Sequence, residues 1–562
     1  MVIVGTLLGV TVLGGRLAGK QSDVRDFFLG GKRLPWWAVA ASIVATEISA
    51  VTYVSLPSVV WRDGGDLTYL QIALFGSLIA KAVVAFLLVP AYFEREIYSP
   101  YDYMGSKLGG GVRKTTTVLF SIGGVLGQAA RVYLVAVVLE VLLAGELGWI
   151  EAQTGVPPLA AAVGAIGVVS IAWTLIGGIA AIVWTDALLF LLFLVGIAVL
   201  IVSASSEVEG GFSAALEQGV AAGKARLVDT TPTLLKPYTL WVALLAAPLW
   251  LLGPYGTDQL IVQRLFACRD AREAKKAMLA SYVAVLVTLL VGVVGLVLYA
   301  NLEANPPAPE VAAQLAERPD RLLPLYVLTS LPDGLRGLVV AGVFAAAISS
   351  LDSILSALAQ TSASLLFARD AGERSLLRAS RWLVVGWGVV LCAVAVGLRP
   401  VHARFGSILD LALSSATYTS GALIAGFFLA FLPTRRDGRG LAWGSALSVA
   451  SVLVLAWPED AARTWVHVGL GLLIALWGWQ RLRPALTDPA LRSAELRRTG
   501  WLVLGVASVV ALGVFGHATD AGGAVQPIAY PWFVLVGALV AFAYGYLLAR
   551  PLPAPEPAVE VR

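Results

Sequence analysis

The stretch Ala345-Ala-Ala-Ile-Ser-Ser-Leu-Asp-Ser353 lies inside the long apolar segment 335–367 and decides how the rest of the chain is interpreted. Its small and polar positions recur in steps of three and four, which places them on one face of a helix. This face consists of Ala346, Ser349, Ser350 and Ser353, with Asp352 beside it. Oxygen atoms gathered at membrane depth are suitable ligands for a hard cation such as Na⁺. The pattern therefore indicates ion-coupled transport rather than chemistry on a soluble substrate.

The composition is that of an integral membrane protein. Of 562 residues, 58% are apolar and 14% are charged, whereas a soluble domain carries about 25% charged residues. The net charge is +4 and the basic residues lie between apolar segments, so no nucleic-acid partner is expected. Cys268, Cys392 and three scattered histidines form no pattern for a metal cluster, a disulfide or an enzyme active site. The sequence therefore predicts a protein that is not an enzyme.

About 20 apolar residues cross a bilayer as a helix. The chain contains fifteen candidate spans, at 2–19, 35–60, 67–93, 114–144, 158–177, 180–205, 238–263, 274–300, 335–367, 380–398, 406–432, 440–457, 464–480, 500–516 and 530–549. With the N-terminus outside, the segments that face the cytoplasm carry 27 of the 40 Lys and Arg residues, and the outer segments carry 10. The positive-inside rule then predicts a multi-pass protein of the cell (plasma or inner) membrane, with an outside N-terminus and a cytoplasmic C-terminus.

The spans divide into two blocks of five, because the second to sixth spans are followed by five more. Five is an odd number, so the second block enters the membrane the opposite way up, as in inverted-repeat transporters. The predicted units are an extra N-terminal helix (1–25), two repeats (26–205 and 206–432), C-terminal helices (433–550) and a cytoplasmic tail (551–562). In each repeat the first helix is expected to break, at Thr46-Glu-Ile-Ser49 and around Pro248, Gly253, Pro254 and Gly256.

Four motifs occur in a fixed order along the chain. They are Asp26-Phe-Phe-Leu-Gly-Gly-Lys-Arg-Leu-Pro-Trp-Trp37 with Ala45-Thr-Glu-Ile-Ser-Ala50, Trp173-Thr-Leu-Ile-Gly-Gly-Ile179 with Trp184-Thr-Asp186, Asp258-Gln-Leu-Ile-Val-Gln-Arg264, and the opening stretch 345–353. In this order the chain resembles the sodium:solute symporter family over about 26–370. The resemblance implies a leucine-transporter-type fold, all-α, with one extra helix before the repeats and about four after them. It also implies Na⁺ as the coupling ion.

The resemblance further implies a set of cation ligands. A sodium site would combine the backbone carbonyls of Ala45, Ile48 and Ala346 with the hydroxyls of Ser349 and Ser350. A second site, for sodium or a proton, would use Asp186, Asp352 and Ser353. The alternative for the serines is close helix packing, since small residues are common at helix interfaces in membranes. The alternative for Asp186 is a helix cap or the partner of a nearby cation.

The candidate substrate contacts share a place at the broken helices or on the helices beside them. They are Glu47, Ser49, Thr52, Gln71, Arg131 and Tyr255. A guanidinium at membrane depth must be paired, so Arg131 either pairs with Glu47 or grips a substrate carboxylate with both nitrogens. Lys81, also within a span, is expected to reach the membrane surface or to pair with a carboxylate. The other contacts are alternatively hydrogen bonds within the helices or, for Tyr255, core packing.

These features predict Na⁺-coupled symport of a small organic solute by alternating access. A carboxylate or acidic sugar is favoured by Arg131, and a neutral sugar or an amino acid is the alternative. Rival interpretations are a proton-coupled symporter of the same fold and a sodium-linked sensor or channel. The expected partners are the solute and the lipid bilayer, and the expected assembly is a monomer or a weak homo-oligomer.

Overall fold

The computed structural model describes residues 2–18, 24–48, 50–94, 99–366, 373–402, 413–432, 437–457, 460–519 and 525–551. Within these ranges the chain is helical apart from loops and one pair of two-residue strands.

Within the described ranges, the extra N-terminal helix and the first repeat together comprise nine α-helices. They are α1 (Val2–Ala18), α2 (Val24–Leu29), α3 (Trp36–Glu47), α4 (Ala50–Trp61), α5 (Ile72–Phe93), α6 (Pro100–Leu108), α7 (Gly110–Leu142), α8 (Ala144–Thr154) and α9 (Pro158–Ser206), with a 3₁₀ turn at Gly30–Lys32. Helix α9 bends at Gly178, where φ is 53° and ψ is −156°. Since glycine reaches positive φ without steric cost, the Gly177-Gly178 pair divides this helix into the two predicted spans.

The second block repeats this plan with longer loops. It contains α10 (Gly211–Ala221), α11 (Val242–Thr257), α12 (Gln259–Phe266), α13 (Ala271–Ala304), α14 (Pro309–Glu317), α15 (Leu322–Ser330), α16 (Asp333–Leu366), α17 (Glu373–Gly397), α18 (Arg399–His402) and α19 (Thr417–Phe431), with 3₁₀ turns at Ser281–Val283 and Pro319–Arg321. Short helices, α10, α14 and α15, therefore lie between the long apolar helices of this region.

The C-terminal region adds a further layer of helices. It contains α20 (Arg439–Ala456), α21 (Asp460–Trp477), α22 (Arg483–Thr487), α23 (Pro489–Phe515) and α24 (Pro531–Leu547). A π-helical turn at Gly478–Leu482 joins α21 to α22, and the strands β1 (Ala518–Thr519) and β2 (Val525–Gln526) pair antiparallel. Helix α24 packs against α19 and α20, which fixes this layer to the second repeat.

The all-helical membrane architecture is confirmed. In the described ranges, nine helices are long and apolar enough to cross a membrane, and α3 with α4 forms a further, bent span. Four more apolar helices are shorter, within α1, α11, α19 and α24. Fewer uninterrupted spans than the fifteen predicted are found in these ranges mainly because one span is bent and four apolar helices are shorter than 18 residues.

Both broken helices are present at the expected places, with different local causes. Helix α3 ends at Glu47, Ile48 has φ −85° and ψ 78°, and the axis turns by 51° before α4. No glycine takes part in that break. In the second repeat, a π-helical turn at Gly253–Thr257 is followed by Asp258 in an extended conformation, φ −94° and ψ 138°. The Asp258 side chain then caps α12 by accepting from the Leu260 amide at 2.8 Å.

Helix α16, which carries the opening stretch, lies at the centre of the molecule. It packs against α7, α9 and α17, and most of its side chains are buried. The broken helices α3–α4 and α11–α12 contact α16 from another side. This arrangement brings the polar face of α16 next to the break in the first repeat.

Candidate functional site

A small cavity of about 160 Å³ lies where the two broken helices meet α5, α7 and α19. Its polar lining comes from both breaks, from α7 and from neighbouring helices including α19, and includes Thr46, Glu47, Thr52, Gln128, Arg131, Tyr255, Asp258 and Ser420. Aromatic side chains complete the wall, among them Tyr69, Phe120 and Trp250. A pocket that is largely apolar with a few convergent polar groups is the usual form of a small-molecule site.

Arg131 projects into this cavity from α7 without a carboxylate partner. Its hydrogen bond is a long one, 3.5 Å from Nη1 to Oε1 of Gln128, one turn earlier on the same helix. Among the described residues, no Asp or Glu oxygen lies within 4.0 Å of its guanidinium nitrogens. Asp258 lines the same cavity and interacts electrostatically with Arg131 without a direct ion pair, while one of its oxygens accepts from the backbone of α12. The guanidinium nitrogens are therefore available to bind an anion that enters the cavity.

Glu47 does not form the ion pair with Arg131 that was one of the two sequence interpretations. Its Oε2 accepts from the Lys81 ammonium at 2.7 Å, and its Oε1 accepts from the Tyr255 hydroxyl at 2.5 Å. Glu47 is the last residue of α3, and its two oxygens contact a side chain from α5 and one from α11, whereas no described ion pair joins it to Arg131 on α7. Of the two expectations for Lys81, pairing with a carboxylate is therefore the one that the structure shows.

The serine face of α16 lies beside the end of α3. Ser349 and Ser350 are both buried. The Ser349 hydroxyl donates to Asp186, whereas the Ser350 oxygen has no hydrogen-bond partner in the described structure. A buried hydroxyl without a partner is costly, by about 1–3 kcal/mol. A cation that accepted this oxygen as a ligand would remove that cost.

A second polar centre joins α3, α9, α12 and α16. Asp186 accepts at Oδ2 from Nη2 of Arg264 at 2.9 Å and from Ser42 at 2.6 Å. The Nε atom of Arg264 donates to the Ser42 oxygen at 2.7 Å, and its Nη1 donates to the Leu260 carbonyl at 2.5 Å. Asp186 and Arg264 are both fully buried. The positive charge at this centre is therefore that of the Arg264 guanidinium.

The remaining members of the second candidate site adjoin this centre. The Ser353 hydroxyl donates to the Ser349 carbonyl at 2.6 Å and accepts from Arg264. One oxygen of Asp352 accepts a 3.3 Å hydrogen bond from Ser353, and the other is buried without a partner in the described structure. The three residues named from the sequence are thus close together, with Arg264 among them.

The other residues predicted for the site lie partly at the cavity and partly away from it. Thr52 lines the cavity, but Gln71 is not among its lining residues and instead donates to the carbonyls of Thr68 and Tyr238, at 3.2 and 3.3 Å. Ala45 and Ile48 are buried in the last turn of α3 and at its end, and Ala346 lies within α16. Ser49 lies outside the described residues.

Two functional neighbours were not identified from the sequence. Asp258 and Arg264 lie in a quoted motif, but no role was assigned to either. A charged residue at each end of an apolar eight-residue helix that follows a break was the available signal. Such a pattern predicts that the charges face the interior, because an unpaired charge exposed to lipid is costly.

Comparison with known proteins agrees with this architecture. The model of the sodium:solute symporter family matches residues 27–448. Human sodium-coupled monocarboxylate transporter 1 is 30% identical over 420 residues, which cover 74% of this chain and 65% of that protein. The bovine sodium-coupled monocarboxylate transporter 2 is 26% identical, covering 79% and 70%. The human sodium/iodide cotransporter is 28% identical, covering 80% and 68%. The matched region thus spans about two thirds of each relative.

The fold has a counterpart among solved structures. A Na⁺-coupled sialic acid symporter, in a substrate-bound outward-open state, superimposes with a TM-score of 0.70 at 19% identity, covering 98% of both chains. This likeness confirms the predicted helical architecture. The chain belongs to the sodium:solute symporter family, and the prediction of a membrane transporter with Na⁺ as its coupling ion is confirmed.

Proposed function

We propose that this protein carries a small monocarboxylate across the membrane together with Na⁺, by alternating access. The observation that carries this proposal is Arg131, whose guanidinium lines the central cavity without a carboxylate partner among the described residues. The planar fork of a guanidinium binds the two oxygens of a carboxylate in parallel, which gives both affinity and orientation. An anionic group of the solute would provide the direct negative partner that Arg131 lacks.

The size of the cavity favours a small solute. Its volume of about 160 Å³ lies below the ~300–1,000 Å³ of pockets that hold drug-sized ligands. A solute of a few non-hydrogen atoms suits this space better than an acidic sugar does. The names of the relatives support the choice, since two are sodium-coupled monocarboxylate transporters and a third is a sodium/iodide cotransporter, all with anionic solutes.

Sodium is proposed to bind between the end of α3 and the serine face of α16. Its ligands would be the carbonyls of Ala45, Ile48 and Ala346 and the hydroxyls of Ser349 and Ser350. The last carbonyls of a helix have no partner within the helix, so the early end of α3 frees oxygens at membrane depth. The unpartnered oxygen of Ser350 supports the same location.

Coupling follows if Na⁺ binds the outward-facing form more tightly than the inward-facing form. Bound sodium then shifts the population towards the form that receives the solute. Because the site adjoins the break of α3, sodium can order the same segment that carries Glu47 and Thr52 in the cavity wall. One charge that moves through 100 mV contributes about 2.3 kcal/mol to accumulation.

We propose that, in this conformation, Arg264 supplies the positive charge of the second polar centre. A second sodium at Asp186, Asp352 and Ser353 would need the guanidinium to leave, since Arg264 already bonds to two of these residues. Movement of a proton in addition to Na⁺ is a second candidate for this centre, and the unpartnered oxygen of the buried Asp352 favours it. An Asp352→Asn variant tests it, because uptake should then lose any response to a proton gradient and keep its response to Na⁺.

The orientation is proposed to be N-terminus outside and C-terminus cytoplasmic, in the plasma or inner membrane, with a monomer or weak homo-oligomer as the assembly. The excess of 27 over 10 basic residues supports this orientation. Single cysteines at Val228 and Leu491, both exposed, give the test in a Cys392→Ala background. An impermeant maleimide should label only the first in whole cells. Labelling of only the second would reverse the topology.

The binding experiment measures thermal stabilisation of the purified protein by acetate, propionate, pyruvate and lactate, each in Na⁺ and in K⁺. At least one acid should stabilise the wild type in Na⁺ alone. Arg131→Lys should weaken that acid by about tenfold or more, because an ammonium cannot make the paired contact. Stabilisation by neutral sugars in place of acids, or equal stabilisation in Arg131→Lys, would contradict the proposed substrate class.

A further inference from the structure

Two basic side chains lie at the central cavity or directly behind its wall, and the protein treats them differently. Arg131 lines the cavity without an acidic partner within 4.0 Å among the described residues. Lys81 is only 1% exposed and lies behind two wall residues, Glu47 and Tyr255. The difference between these cations sets how many negative charges a solute can bring into the site.

Lys81 is fully satisfied by its own protein. Its ammonium donates to Glu47 Oε2 at 2.7 Å and to the Ser281 carbonyl at 2.9 Å. It also lies 4.9 Å from the centre of the Tyr255 ring, within range of a cation–π interaction. These three groups come from α3, α13 and α11, so residues of both broken helices contact the ammonium.

Glu47 is equally committed. One of its oxygens binds Lys81, and the other accepts from the Tyr255 hydroxyl at 2.5 Å. Its side chain is still 18% exposed and forms part of the cavity wall. A carboxylate at the cavity surface thus occupies the position from which a solute carboxylate would reach Lys81.

We infer that Glu47 acts as a resident carboxylate that neutralises Lys81 and leaves Arg131 as the cation available to the solute, so that the cavity accepts one carboxylate and discriminates against dicarboxylates. The inference rests on the proposed function and names its specificity determinant. A second solute carboxylate would find Lys81 already paired and would meet the carboxylate of Glu47 in the wall. Like charges at close range repel, and such repulsion is an effective source of specificity.

The arrangement also explains why an acidic residue stands at the break of α3. A neutral side chain there would leave a buried ammonium unpaired, which is costly at membrane depth. It would equally leave a second cation for the solute. The net charge of the site therefore depends on the Glu47–Lys81 pair as well as on Arg131.

The test is competition against uptake of labelled pyruvate into proteoliposomes with a sodium gradient. Butyrate and succinate serve as competitors because both have four carbons and they differ by one carboxylate. In the wild type, succinate should compete at least about tenfold less well than butyrate. In Glu47→Gln this ratio should shrink by about tenfold or more, since Lys81 becomes available. In Glu47→Gln/Lys81→Met the ratio should return towards the wild-type value.

An unchanged ratio in Glu47→Gln, with pyruvate uptake retained, would overturn the inference. If Glu47→Gln does not reconstitute, Lys81→Met provides the opposite test, because it leaves Glu47 as an unbalanced negative charge in the wall. Butyrate should then compete about tenfold less well than in the wild type, and an unchanged affinity would overturn the inference. If the wild type neither transports pyruvate nor responds to butyrate, the proposed function itself fails.

Discussion

Removing the charge of Asp186 should destabilise the protein strongly, because Arg264 would keep a buried positive charge with no carboxylate beside it. Both side chains are fully buried, and Nη2 of Arg264 lies 2.9 Å from Oδ2 of Asp186. Breaking such a pair costs about 3–5 kcal/mol. At ~2 °C for each kcal/mol, the lower end of the range for larger domains, Asp186→Asn should lower the melting temperature by ~6–10 °C.

The assay is thermal unfolding of purified protein in detergent, followed by intrinsic fluorescence. The double variant Asp186→Asn/Arg264→Gln should recover most of the loss, because neither charge is then left alone. Glu273→Gln is the matched control. Its pair with Lys276, at 3.3 Å, lies at the surface and contributes about 0–1 kcal/mol. A double variant no more stable than Asp186→Asn, or an unchanged melting temperature in that single variant, would refute the reasoning.

Two further variants test the sodium site and the packing of the second break. Ser350→Ala should weaken sodium binding by about tenfold, because the ion loses one oxygen ligand, whereas Ser364→Ala on the same helix should leave sodium binding unchanged. Sodium-dependent thermal shifts measure both variants, and equal sodium affinities would show that Ser350 is not a ligand. Gly256→Ala should cost about 1–3 kcal/mol, because its new methyl group would lie 2.5 Å from Leu88, while Gly148→Ala has open space and should be neutral or stabilising; equal melting temperatures would contradict this packing argument.

The helical architecture and the polar face of α16 were open to prediction because both depend on local patterns. Hydropathy locates spans, and steps of three and four place Ser349, Ser350 and Ser353 together whatever surrounds them. The break of α3 was indicated by a polar run alone, and the structure places it at Glu47 and Ile48 without glycine.

The pairing of charges could not be predicted in the same way. Glu47 had two basic candidates within spans, and only the three-dimensional structure shows that Lys81, at 2.7 Å, is its partner and Arg131 is not. Arg264 reaches Asp186 across 78 positions of sequence, and no periodicity connects the two. The choice between partners depends on how separate helices are placed, and that placement decides which cation remains for the solute.

The most direct test of the account is uptake of a labelled monocarboxylate into proteoliposomes with an imposed inward Na⁺ gradient, compared with an inward proton gradient at equal Na⁺. Accumulation above equilibrium with the Na⁺ gradient, which collapses when K⁺ replaces Na⁺ and when Arg131 is changed to Lys, is the predicted result. Accumulation driven by the proton gradient alone, with no response to Na⁺, would contradict it.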